Sequence, residues 1–492
     1  MRSEFYDDFT HWGLVVKEML MWDHLPNFTS TSAIAHQAYP PGTAVVLYFV
    51  SKILGDTESV RLYAQALVTL SCISPLASFM TKRKYMGWLL IIPATLYLLS
   101  GNLGIIALTV DTLLSLLGIA GTAILAYYYK EKKLEEAILP LVLITSYLNI
   151  VKNSGILFVL ILAGIFFAMI KHGTEQKKKA IVGGGLMLGI PYVLKVLWDK
   201  HIELVFLSGA QSRHAMTVEN YKNVFAVKSQ EDIWFITKSQ LLASVNLYSS
   251  EIKILLVVFA AFGLMWLLKK MQVLSASEVD RAKSGRLEIK LILFVVGIYI
   301  IYQLGLWGTY IFSMPLDEAL ILASYDRYNI TIIMYLLGVA LIYFLHEIDK
   351  MENASLMKKR AVLGIGAITM LWPLYLTLDS LQNLYIQKDY SELYRTHLEK
   401  VVVDNQLPRD ANYIIYSGDY PENDMGYYIY FMSCYELMTS SVSVLNQNTI
   451  DTLGELNDPV TIIIMKDDEK IREKMKTYGI VDFEEGSIIQ LN

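Results

Sequence analysis

Residues 108–130 read LTVDTLLSLLGIAGTAILAYYYK. Between Asp111 and Lys130 the run holds no charge, and about 20 mainly apolar residues are what a helix needs to cross a bilayer. The run predicts a membrane span. A charge inside a span costs a few kcal/mol, so each one should sit at a rim or with a partner. Counting back about 19 residues from Lys130 covers about 28 Å at 1.5 Å per residue, which puts Asp111 at the rim opposite Lys130.

Working outward, similar runs occupy 61–80, 86–101, 137–151, 155–170, 180–197, 252–268, 289–311, 329–345 and 361–378, so ten spans are expected. The connections between them alternate in charge. One set carries Lys82, Arg83 and Lys84; Lys130, Lys132 and Lys133; and Lys171 with Lys177, Lys178 and Lys179. It continues with Lys269, Lys270, Arg281, Lys283, Arg286 and Lys290, then Lys350, Lys358, Lys359 and Arg360. The short connections in the other set carry only Lys152 and Arg327. Lys and Arg accumulate in cytoplasmic loops, which places the basic set inside. Residues 1–60, the loop 198–251 and the tail 379–492 are then expected outside.

Three regions follow: 1–60, an outer loop with an acidic motif and an interfacial helix; 61–378, the transmembrane helices; and 379–492, a small extracytoplasmic α/β domain. The interfacial helix is PPGTAVVLYFVSKILGD (40–56), opened by its prolines and closed near Gly55. In the tail, 411–417 and 460–465 read as short buried strands, and 425–437 and 467–479 as helices.

Composition agrees. Of 492 residues, 54% are hydrophobic and 18% charged, where soluble chains carry roughly 25% charged residues. A net charge of -5 gives no case for nucleic acid as a partner,. Two cysteines, Cys72 and Cys434, argue against a disulfide framework or a cysteine metal site,. Glu4, Asp7, Asp8, Lys17 and Glu18 stand where a signal peptide would be apolar,.

The chemistry gathers at the outer rim. Tyr6–Trp12, YDDFTHW, supplies adjacent carboxylates, Asp7 and Asp8, with His11 and Trp12. Asp111 joins them, as does Lys152 in the tight connection NIVKNSG. Arg327 lies in SMPLDEALILASYDRYN with Asp317, Glu318, Asp326 and Tyr328. Blander roles exist for each. Asp111 could oppose a helix dipole, Lys152 and Arg327 could snorkel to headgroups, and Glu318 could pair with either cation. His11 and His36 could be structural, and Trp12, Trp22 and Tyr39 could form an interfacial belt. Asn27-Phe28-Thr29 and Asn329-Ile330-Thr331 match the glycosylation sequon.

YDDFTHWG, YPPGTAVVLYFVSKILGDTESVRL, TVDTLL, KNSG and an outer-rim RY, in that order, resemble the GT-C superfamily. These multi-pass glycosyltransferases use polyprenyl-phosphate sugars and include protein O-mannosyltransferases and lipid A aminoarabinose transferases. The resemblance implies a helical membrane fold of GT-C type with about ten transmembrane helices here, an outer α/β domain, and a first helix that this chain lacks. It makes Asp7 the catalytic base, Asp8 its neighbour (usually Glu) and Asp111 the second outer aspartate. Lys152 and Arg327 resemble the basic residues that hold the lipid phosphate; Tyr328 is expected beside them, and His11, Trp12, His36, Tyr39 and Glu318 are expected as acceptor or sugar contacts. The donor is a polyprenyl-phosphate sugar, and the acceptor an envelope glycan, lipid or protein. No cofactor is demanded, though a divalent cation on Asp8 or Asp111 is left open. The competing expectations are a transporter or flippase of lipid-linked saccharide, a polysaccharide polymerase or ligase, and a non-catalytic scaffold.

Overall fold

The computed structural model describes residues 2, 5–27, 34, 36–80, 84–100, 107–206, 224, 227–271, 286–350, 355–378, 390–409, 411–419, 425–455 and 459–491. The acidic motif, expected as a loop, is helical. Asp8–Trp12 forms a wide turn in which the Gly13 N–H reaches back five residues to the Asp8 carbonyl, and it runs on into α1 (Gly13–Trp22). All five residues of the turn are buried. Buried backbone must be hydrogen-bonded, which an open loop would not achieve.

Next come α2 (Gly42–Leu54), α3 (Glu58–Ser71), α4 (Lys84–Ser100), α5 (Asp111–Lys130), α6 (Ile138–Val151), α7 (Gly155–Gly173) and α8 (Lys177–Val205). They are followed by α9 (Gln230–Ser244), α10 (Ser250–Lys270), α11 (Arg286–Phe312), the short α12 (Leu316–Leu320), α13 (Tyr325–Lys350) and α14 (Leu356–Leu376). Among the described residues, eight helices are long and apolar enough to cross a membrane. The chain is a multi-pass helical membrane protein. The two other expected spans also fold as helices, but α4 has 17 residues and α14 spends its first turn on Lys358, Lys359 and Arg360. The span expected at 61–80 is α3 continued by a tight turn, Ser74–Phe79, that starts around Pro75. The stretch 40–56, expected as an interfacial helix, is helical as α2. The loop expected at 198–251 instead carries the end of α8 and all of α9.

The core is organised on α13, buried along nearly its whole length and packed parallel to α5. Apolar side chains gain little by leaving lipid, so polar pairs and close packing hold membrane helices together. Here the Ser115 hydroxyl donates to the Thr331 carbonyl at 2.6 Å, and the Thr122 and Tyr335 hydroxyls meet at 3.0 Å. Ser115 is one turn from Asp111 and Thr331 one turn from Arg327, so this staple sets the two charged residues side by side. Asn329, offered by the sequence as a sequon, is buried in α13 and accepts from Gln303 Nε2 at 2.8 Å, which leaves no room for a glycan. Two residues of the other sequon, Phe28 and Thr29, lie outside the described residues.

The tail opens with α15 (Tyr390–Asp404), then β1 (Tyr413–Tyr416), α16 (Met425–Leu437), β2 (Val442–Leu445), β3 (Val460–Ile464), α17 (Glu469–Thr477) and β4 (Ile488–Leu491). The sheet order is β2-β1-β3-β4, with β1 parallel to β2 and β3, and β4 antiparallel to β3. Alternation along β1 explains its position. Ile414 and Tyr416 face a small core closed by Ile471 and Met475 of α17. Tyr413 and Ile415 face the side shared with α15, α16 and the helical bundle. Both faces are covered, as parallel strands require.

Candidate active site

Four charges from four distant stretches meet where α1, α5, α6 and α13 converge. Lys152 Nζ donates to Asp111 Oδ1 at 2.8 Å, and Arg327 Nε stands 3.6 Å from Asp111 Oδ2. Arg327 Nη1 donates to Asp7 Oδ2. The order along the chain of contacts is Asp7, Arg327, Asp111, Lys152, so each charge lies next to one of opposite sign. Tyr328 presents its ring to both cations, 5.0 Å from Lys152 and 5.4 Å from Arg327, and Phe5 lies 5.9 Å from Arg327. Asp111 is sealed at 5% exposure, whereas Asp7, Arg327 and Lys152 keep 18, 15 and 13%.

Local structure explains each placement. Lys152 ends α6 in extended backbone, and Gly155 starts α7 with its N–H on the Lys152 carbonyl at 2.9 Å. A Cβ at Gly155 would fall 1.9 Å from the Leu148 carbonyl oxygen, so only glycine closes this turn. Arg327, expected in a loop, sits in the first turn of α13. Two left-handed residues, Leu322 (φ 51°) and Ser324 (φ 59°), precede it. Such conformations cost non-glycine residues about 1–3 kcal/mol and persist where the surroundings enforce them. Here the Tyr310 hydroxyl donates to the Ala323 carbonyl at 2.8 Å, and Tyr302 to the Tyr328 carbonyl at 2.7 Å. Burial opposes a charge on Lys152, but Asp111, Tyr328 and Tyr39 together outweigh it and hold the ammonium above its usual range.

The adjacent aspartates separate. Asp8 is fully buried, and its Oδ1 accepts from the Leu108 N–H at 2.9 Å, tying the motif to the approach of α5. Among the described residues no three His, Cys, Asp or Glu side chains form a metal-binding group. Both Asp111 oxygens face cations, an arrangement that does not fit a metal ligand.

Beside the charges, His11, Trp12, Gln37, Tyr39, Pro40, Pro41 and Trp198 line a small pocket. His36 stacks on Tyr39 at 4.3 Å, and His11 lies edge-on to Tyr39 at 5.0 Å. The Trp198 indole donates to the Ala38 carbonyl at 3.0 Å. Burial, followed by the Lys152 charge, lowers the His11 pKa to about 3, so the ring is neutral at ordinary pH. Its Nδ1 is buried with no hydrogen-bond partner among the described residues. Glu318 is half-buried on α12, just ahead of the Arg327 helix.

The sequence reading missed Phe5 and the Ser115–Thr331 staple. It also missed a second buried network that joins α1 and α3 to the tail. Arg395 Nε donates to Glu436 Oε1 at 2.8 Å and its Nη1 to Glu58 Oε2 at 3.1 Å. The Tyr435 hydroxyl donates to Glu58 at 2.9 Å and accepts from Arg61 at 3.2 Å, and Lys17 donates to the Tyr435 carbonyl at 2.7 Å. The one available signal was Arg61 at the start of an apolar run.

No protein-family model and no curated protein matches the sequence. Among solved structures, the apo crystal structure of ArnT from Cupriavidus metallidurans is similar in overall course. That match covers 99% of this chain and 93% of that one, at 11% identity and a TM-score of 0.33. A likeness this slight transfers no residue roles.

Proposed function

We propose that the protein is a membrane glycosyltransferase of GT-C type. It moves a sugar from a polyprenyl-phosphate donor to an envelope glycan, lipid or protein, with its site on the extracytoplasmic face. The observation that carries this reading is the Asp7–Arg327–Asp111–Lys152 chain of charges, which pairs carboxylates with phosphate-binding cations at the rim away from the basic loops.

Two carboxylates and two cations balance. A donor phosphodiester brings one more negative charge and competes with Asp7 for the fork of Arg327, which suits phosphate bidentately. Once displaced, Asp7 is free to act as base. The acceptor oxygen attacks the anomeric carbon, the carbon–oxygen bond to phosphate breaks, and the acceptor proton passes to Asp7. Arg327 and Lys152 hold the charge gathering on the departing polyprenyl phosphate, the kind of preorganised stabilisation that usually lowers a barrier most. Asp111 keeps both cations aimed. Asp8 positions the turn through Leu108. The sugar ring lies on the Tyr39 and Trp12 surfaces, where the neutral His11 Nδ1 meets a hydroxyl.

The test is envelope glycan mass spectrometry of cells with and without the gene, complemented by wild type or by Asp7→Asn. Loss of one glycan with the gene, and failure of Asp7→Asn to restore it, are expected, because a general base contributes about 10²–10⁴-fold. Full restoration by Asp7→Asn would remove Asp7 as the base. An unchanged glycan profile without the gene would remove the reaction.

A further inference from the structure

The helical turn that presents Asp7 and Asp8 is not supported by the membrane helices alone. Its second residue, Phe9, is fully buried, and three groups against its ring come from the tail. The Arg395 guanidinium lies 4.9 Å over the ring, Tyr435 packs at 5.3 Å, and Tyr428 meets it edge-on at 5.6 Å. The turn is moulded to this support: a Cβ at Gly13 would fall 2.8 Å from the Asp8 carbonyl oxygen and 3.5 Å from Cε2 of Tyr435. Arg395 itself is 4% exposed and is held on the bundle by Glu58 and on its own side by Glu436. Lys17 reinforces the same place, 4.1 Å over the Tyr435 ring.

We propose that Arg395 is a positioning residue for the active site: through Phe9, the Glu58–Arg395–Glu436 clasp holds the Asp8–Trp12 turn in the geometry that brings Asp7 to Arg327. The tail is then a structural half of the site, although none of its described residues joins the Asp7–Arg327–Asp111–Lys152 charges. The clasp is suited to this. A buried guanidinium with carboxylates on two different elements fixes both together, since releasing either leaves an uncompensated buried charge. The planar fork also sets the angle of approach, which a lysine ammonium does not. That Asp7 is the base rests on the function proposed above; the clasp and its effect on the turn do not.

The experiment is hydrogen–deuterium exchange on the full chain in detergent, without ligand, comparing wild type with Arg395→Gln, Arg395→Lys and Tyr435→Phe. In Arg395→Gln, exchange of the amides of Phe9–Gly13 is expected to rise at least about tenfold while residues 332–345 of α13 stay unchanged, because local opening is separable from global unfolding. Arg395→Lys, which keeps the charge without the fork, should show a smaller rise on the same peptide. Tyr435→Phe, which removes one hydroxyl, gives a milder variant should Arg395→Gln fail to fold, and it too should act on that peptide. Carbodiimide labelling of Asp7 should increase in the same order. Unchanged exchange at Phe9–Gly13 in the variants that fold, or an equal rise across α13, overturns the proposal. Failure of Asp7→Asn to alter the glycan, with exchange behaving as expected, would overturn the catalytic role and leave the clasp standing.

Discussion

The two ends of α13 carry buried charges of different character. At the basic end, Lys269 reaches both Glu288 and Glu347 at 2.6 Å, and the Tyr343 hydroxyl donates to Glu288 at 2.6 Å. Glu288 and Glu347 are almost completely buried, on neighbouring helices that one ammonium ties together. At the other end, Arg327 and Lys152 share Asp111, and Arg327 also holds Asp7, a carboxylate that keeps 18% exposure, with an aromatic pocket beside them. Burial of an ion pair is therefore no mark of a site. The cations at the two ends are similarly exposed; a partly exposed carboxylate, Asp7, and the neighbouring pocket distinguish the Arg327 end. The Lys269 end is a fastening.

The sharpest way to break this contrast is ligand binding. Arg327→Ala should weaken binding of decaprenyl phosphate about 30- to 1,000-fold, the cost of truncating one partner of a buried charged hydrogen bond, as read by thermophoresis on the protein in nanodiscs. Lys269→Met should leave that affinity within about twofold per folded molecule. Equal losses from the two variants would erase the distinction. Stability reverses the order: Lys269→Met takes the shared cation from two buried carboxylates and should cost about 3–5 kcal/mol, seen as an early midpoint in detergent thermal unfolding.

The pocket sharpens the picture through pH. His11 has its pKa lowered to about 3, from an ordinary 6.5. As pH falls through 6.5 the unfolded chain takes up a proton that the folded chain refuses, so stability drops until about pH 3. His11→Phe should flatten the midpoint-against-pH curve across that window; an unaltered slope would mean that His11 is not held neutral. The smallest effect is expected from Ser115→Ala. It removes one bond between α5 and α13, costs about 1 kcal/mol, and should modestly weaken decaprenyl phosphate binding by loosening Asp111 against Arg327.

Much of the candidate site was legible because the membrane restricts where charge can go. Asp111 was placed by its distance from Lys130, and Lys152 stood out as a lone cation in a glycine turn. What escaped had no periodic signature. YDDFTHW is too short to show a helical period, so its wide turn read as a loop. VSVL and IIQL, four residues each, were too short to register as β2 and β4. Arg395 lies in a helix rich in polar residues that reads as solvated surface. Only the folded chain shows that its charge is consumed by Glu58, and nothing in the spacing links the two.

That last contact separates partners by 337 residues. At roughly 5–20 residues per second during synthesis, on the order of twenty seconds to a minute passes between the appearance of Glu58 and that of Arg395. Throughout that interval the membrane helices are being inserted while the Phe9 turn lacks its support. The centre is thus finished last, and a chain interrupted anywhere before its tail carries the charged residues without the brace that aligns them.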